Sequence, residues 1–215
     1  PRSTPMWRHA RARWRRSPSG WSGRRGSALL LALALAPGAW LAWRYADIPQ
    51  IGTLHDDGLY LATAQALDGE MARRVAHHRA RRPAEWGCTE ETLHLAARLR
   101  ELAAADTCVL VDCLTLWLSN LLFAGVAATQ AEAGEAIACP LFRDETTALI
   151  ELLPQLPGHI ILVSNEVGWG IVPMHPVSRL FADEQGRLNQ RVAAVCDQVT
   201  LVAAGLPLSL KSAGG

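Results

Sequence analysis

Lysine is nearly absent: Lys211 is the only one in a chain of 215 residues. No phosphate loop of the form Gly-x-x-x-x-Gly-Lys-Ser/Thr can therefore stand in it. The nearest glycine cluster, Gly20-Trp-Ser-Gly23-Arg-Arg-Gly26-Ser27, lacks both the lysine and the spacing. The five cysteines, at 88, 108, 113, 139 and 196, are odd in number and never form Cys-x-x-Cys. That argues against a zinc site and a disulfide framework, and suits buried thiols in a reducing cytoplasm. Acid is missing from the first 25 residues, which hold eight arginines. The overall charge of +1 thus hides a mildly acidic remainder, with no basic stripe for nucleic acid.

The amino-terminal part differs from the rest. Residues 1–27 are rich in Arg, Trp, Ser, Pro and Gly without periodicity, and five of the eight tryptophans lie in the first 43 positions. Such a composition predicts poor order. The run Ser27 to Trp43 carries no charge over seventeen residues and follows arginines, the layout of a signal sequence or short anchor. Pro37-Gly38 breaks it, which argues against a spanning helix and makes membrane attachment the lesser reading. A poorly packed surface helix, or translation of GC-rich DNA in a shifted frame, fits the same residues. The expected division is an atypical head over 1–43 and a nucleotide-binding α/β domain over 44–215.

From Gly58 onward, short apolar runs alternate with amphipathic stretches. Strands are predicted at Gly58 to Thr63, Thr107 to Asp112, His159 to Ser164 and Gln198 to Ala203. Their near-continuous apolar character suits a parallel sheet covered on both faces. Helices are predicted at Asp68 to Arg82, Glu90 to Ala104, Leu114 to Phe123, Arg143 to Leu153 and Val177 to Val195. In the last, Phe181, Leu188, Val192 and Val195 share one face, and Arg179, Asp183 and Arg187 line another.

Three places carry groups suited to chemistry. After the strand ending near Thr63, a helix presents Leu67, Met71, Val75 and His78 along one line, with His77 turned away by about 100°. Beside the two imidazoles stand Arg79, Arg81 and Arg82, whose guanidiniums grip phosphate oxygens in a bidentate fork. The same arginines also suit a solvated helix end. Asp112 closes an apolar strand, a position fit to hold a metal ion near a nucleotide and equally fit to cap the next helix. Asn165-Glu166 and the glycines at 168 and 170 form a loop after the third strand, either facing a ligand or making a turn.

Together these segments closely resemble the bifunctional adenosylcobinamide kinase and adenosylcobinamide-phosphate guanylyltransferase family of cobalamin biosynthesis. The resemblance rests on Tyr60 to Met71, Arg74 to Pro83 with Trp86, Glu90, Val109 to Asn120, Asn165 to Pro173, and Arg179 through Lys211. It implies a P-loop NTPase, RecA-like α/β fold: a mostly parallel sheet with helices on both faces, forming a homotrimer. It implies GTP or ATP as substrates, Mg²⁺ as the metal, and adenosylcobinamide and its phosphate as acceptors. His77 is the implied guanylylated nucleophile and His78 the close alternative. The implied nucleotide contacts are Ala62, Thr63, Ala64, His78, Arg79, Ala80, Arg81, Glu90 and Asp112, with Asp112 also serving the metal. An imidazole of ordinary pKa, about 6.5, is largely neutral at cytosolic pH and can attack phosphorus unaided.

One departure stands out. The family opens with a strand and a loop of the form Gly-Gly-x-x-Ser-Gly-Lys-Ser, whereas Ala36 to Trp43 stands where the loop should end. The first strand and the loop are therefore expected to be absent or replaced, with both activities severely impaired and the kinase most of all.

Overall fold

The computed structural model describes residues 28–34 through their backbone, and residues 58–65, 69, 70, 73, 76 and 86–212. Among the described residues seven strands form one sheet: β1 (Ala28–Ala34), β2 (Gly58–Ala62), β3 (Gly87–Glu90), β4 (Cys108–Asp112), β5 (His159–Asn165), β6 (Gln198–Ala203) and β7 (Leu206–Lys211). Their order across the sheet is β3-β2-β4-β5-β1-β6-β7. All neighbours are parallel except β6 and β7, which form an antiparallel hairpin.

The strand expected to be absent or replaced is thus supplied by Ala28–Ala34, inside the segment whose composition suggested a signal sequence or anchor. It pairs with β5 on one side and β6 on the other. An uncharged Ala/Leu run suits a central parallel strand. Periodicity does not separate such a run from an apolar helix. Among the described residues, no helix is long and apolar enough to cross a membrane.

Five α-helices with described bounds accompany the sheet: α1 (Leu95–Leu102), α2 (Leu114–Ala124), α3 (Ala127–Glu132), α4 (Pro140–Leu152) and α5 (Pro176–Val195). Proline opens α4 and α5 at the first turn, where its missing N–H costs no helical hydrogen bond. The α1 start is capped from outside: the Glu91 carboxylate accepts the amides of Leu93 and His94, each at 2.8 Å. Residues 90–94, predicted as the first turn of this helix, instead finish β3 and form that cap. Gly69, Glu70, Arg73 and Ala76 are helical, in keeping with a helix after Asp68.

The strands alternate between two apolar clusters. Leu61, Val109, Val111, Ile160 and Leu162 pack with Leu99 of α1, Trp117 and Leu121 of α2, Leu149 of α4 and Leu188 and Val192 of α5. Tyr60, Leu110, Ile161 and Val163 form the second cluster on the opposite sheet face, with Trp86 and Leu116 against it. Trp117 is fully buried, and its indole N–H donates to the Leu93 carbonyl at 2.8 Å. Gly158 enters β5 at φ +76°, with the Ala104 carbonyl where a Cβ would stand, so only glycine fits this turn.

Candidate active site

From β1 the chain moves outward to β2 and β3, returns through β4 and β5, and crosses past β1 to β6. In open parallel sheets such a reversal leaves a crevice outside the carboxyl ends of the strands, where ligands bind. The register fixes who meets there. Ala62 lies opposite Glu90 on one side and Asp112 on the other, so three strand ends form one row. Asp112 in turn faces Val163, and Ala34 faces Asn165.

The row is tied together by hydrogen bonds. Thr63 is fully buried; its hydroxyl donates to the Cys113 carbonyl at 2.7 Å and accepts the Cys113 amide at 2.8 Å. Its own amide donates to the Asp112 carbonyl at 3.1 Å. The Asn120 side-chain amide donates to the carbonyls of Thr63, at 2.8 Å, and Thr92, at 3.1 Å. The loops after β2 and β3 are thereby fastened to α2. Asp112 is buried, and one carboxylate oxygen accepts the Tyr60 hydroxyl. Burial pushes the neighbouring Cys113 thiol up to about 12, helped by the Asp112 charge, so it stays neutral.

A second polar cluster closes the end of β5. The Ser164 hydroxyl donates to the Asn189 side-chain oxygen at 2.6 Å, and the Gln185 amide donates to both, at 2.9 Å each. Asn189 donates to the Asn165 carbonyl at 3.1 Å and to the Glu166 carboxylate at 2.9 Å. The Thr115 hydroxyl accepts from the Asn165 backbone amide, at 3.0 Å, and from its side chain, at 2.9 Å. Among the described residues, the buried side-chain oxygens of Asn165 and Gln185 have no hydrogen-bond partner. Buried polar atoms left unpaired cost stability.

Of the predicted site residues, Ala62, Thr63, Ala64, Glu90 and Asp112 come together at the carboxyl edge: Ala62, Thr63 and Asp112 buried, Ala64 half-buried, Glu90 exposed. His77, His78, Arg79, Ala80 and Arg81 lie outside the described residues. The sequence reading missed the roles of Thr115, Asn120, Gln185 and Asn189. A signal existed in α5, where Gln185 and Asn189, four apart, interrupt an otherwise apolar stripe. Among the described residues, no three His, Cys, Asp or Glu side chains cluster to hold a metal ion. Mg²⁺ does not need such a cage: one carboxylate, water and substrate phosphates suffice. Asp112, oriented by Tyr60, fits that donor chemistry.

The structure is similar to an ATPase of a bacterial type III secretion system, with a TM-score of 0.51 at 12% identity; the match covers 84% of this chain and 56% of the ATPase. The likeness is one of fold, an α/β arrangement around a mostly parallel sheet. In sequence, the chain is 54% identical over 153 residues to the bifunctional adenosylcobalamin biosynthesis protein CobP of Pseudomonas aeruginosa, covering 71% of this chain and 81% of CobP. It is 40% identical over 166 residues to CobU of Salmonella typhimurium, a protein of the same description, covering 77% of this chain and 88% of that one. The model of the family described as cobinamide kinase / cobinamide phosphate guanyltransferase matches residues 45–210. This chain therefore belongs to that family.

Proposed function

We propose that the carboxyl edge binds GTP or ATP and serves two transfers to corrinoid acceptors. In the first, the aminopropanol hydroxyl of adenosylcobinamide attacks the γ-phosphorus, forming a P–O bond while the bond to the nucleoside diphosphate breaks. In the second, the His77 imidazole attacks the α-phosphorus of GTP. An N–P bond forms and pyrophosphate leaves. The phosphate of adenosylcobinamide phosphate then displaces the imidazole, giving adenosylcobinamide-GDP. His78 is the alternative nucleophile, and Arg79 and Arg81 neutralise the oxygens.

The observation that carries the reading is the row Glu90–Ala62–Asp112, tied to α2 through Thr63 and Asn120. It brings residues scattered through the sequence to one strand edge. Ala62, Thr63, Ala64 and Ala80 border the nucleotide in this reading, and Glu90 borders it from the neighbouring strand. Asp112 would hold Mg²⁺, which when bound offsets charge on the phosphate oxygens. A homotrimer belongs to the same proposal. Leu206, Leu208 and Leu210 are exposed on the edge strand β7, a surface that invites a partner.

Both activities are impaired in this chain, the kinase most. The residues following β1, Leu35 onward, lack the lysine and the glycine cradle. Without them the β- and γ-phosphates lose their main donors. A second reading, a nucleotide-binding partner without catalysis, is favoured by that same feature. Steady-state phosphorylation of adenosylcobinamide by ATP, beside equilibrium binding of a fluorescent GTP analogue, separates the two. Slow turnover supports an impaired enzyme; tight binding with no turnover or covalent intermediate supports the partner; turnover equal to that of the Pseudomonas relative refutes the impairment.

A further inference from the structure

The loop between β5 and α5 displays an apolar surface that no part of the proposed nucleotide chemistry uses. Over eight residues it exposes Val167, Trp169, Ile171, Val172 and Met174, with Trp169 66% and Ile171 97% exposed. Single exposed apolar side chains are ordinary, but a contiguous group marks a contact surface. Its ends are fastened. At the start, Asn165 is held by Thr115, and Glu166 by Asn189. At the far end, the Arg179 guanidinium donates to the carbonyls of Pro173, at 3.2 Å, and Met174. Gly168 and Gly170 flank Trp169, and among the described residues a Cβ on either would meet nothing within 4 Å.

We propose that this loop seats the corrin ring of the acceptor, an inference that rests on the function proposed above. The loop leaves the sheet at Asn165, beside the end of β1 and one strand from Asp112, so it is continuous with the nucleotide edge. A corrin is a broad, methyl-studded macrocycle, and an open apolar platform next to the reacting phosphate suits it. An indole supplies such a platform at little entropic cost. The flexible aminopropanol arm then reaches inward to the edge while the ring stays outside.

The test is binding of adenosylcobinamide to the full chain, followed by equilibrium dialysis, for the native protein and for Trp169→Ala and Ile171→Ser. Both substitutions lie on exposed side chains and leave the core intact. The expected result is at least a tenfold weaker affinity for adenosylcobinamide in each variant, with GTP affinity unchanged. A corrinoid lacking the aminopropanol arm should show the same loss, because the ring is what the loop meets. Unchanged corrinoid affinity in the variants, with native binding intact, overturns the loop assignment and leaves the proposed function standing. Native protein that binds GTP but no corrinoid refutes the proposed function itself. A change of sedimentation coefficient in Trp169→Ala would overturn the assignment in favour of a contact with a second copy.

Discussion

Replacing Thr63 by valine tests the hydrogen-bonded row at the site with little change of shape. The side chain is fully buried, and its hydroxyl both donates to the Cys113 carbonyl and accepts the Cys113 amide. The carbonyl keeps a second donor, the Trp117 amide at 3.1 Å, whereas the buried amide would lose the partner that holds it. An orphaned amide costs about 1–3 kcal/mol and the weakened carbonyl about 0.5–1 kcal/mol more, so Thr63→Val should destabilise by roughly 2–4 kcal/mol. With a urea m-value of about 2 kcal/mol/M, the midpoint falls by roughly 1–2 M. Thr63→Ser keeps the hydroxyl and loses only a methyl, a cost of about 1 kcal/mol. Urea unfolding of the three proteins, followed by circular dichroism, decides the matter. Equal midpoints for the valine variant and the native chain, or a serine variant as weak as valine, would refute the reasoning.

Further outcomes follow from the same structure. Gly158→Ala meets both a positive φ and the Ala104 carbonyl, and should lower stability by about 2–4 kcal/mol in thermal or urea unfolding; a neutral result would contradict the requirement for glycine in this turn. The hydrogen bond that His94 Nδ1 donates to the Glu145 carboxylate, at 2.7 Å, raises the histidine pKa. Its stabilisation is therefore full below the unfolded value of about 6.5 and is lost as pH rises through the folded value. Because the imidazole is 59% exposed, the effect is a few tenths of a kcal/mol. Glu145→Gln should remove it, erasing the native chain's advantage at about pH 5.5 and changing nothing at about pH 8.5. Burial holds the thiols of Cys108 at about 11 and of Cys113 and Cys196 at about 12. Iodoacetamide on native protein should thus label the exposed Cys88 first, and rapid labelling of Cys113 in mass spectra would contradict the buried site.

Much of the fold was legible because its signals are local. Four of the parallel strands are apolar runs bounded by turn residues, and the predicted limits of Gln198 to Ala203 coincide with β6. α2 and α5 follow their apolar spacing to within two residues at either end. β3 was missed because Gly87-Cys-Thr-Glu90 is short, mostly exposed and at an edge, so it shows no alternation of buried residues. β7 was missed for the same reason, since all six of its residues are exposed. β1 was misjudged because Ala28–Ala34 is identified as a strand only by the neighbours it pairs with. At the site, Asp112 was legible as an acid ending an apolar run. The Thr63–Cys113 and Ser164–Asn189 bonds join residues 50 and 25 positions apart, and no periodicity encodes such contacts.

The most direct measurement is incubation of the full chain with Mg²⁺ and GTP labelled at the α-phosphate, followed by mapping of the modified peptide. The account predicts an acid-labile, base-stable guanylyl group on His77, lost in His77→Asn and retained in His78→Asn. It should form at least about 100-fold more slowly than in the Pseudomonas relative, because phosphate donors are missing. Label that survives His77→Asn, or that forms as fast as in the relative, would contradict it.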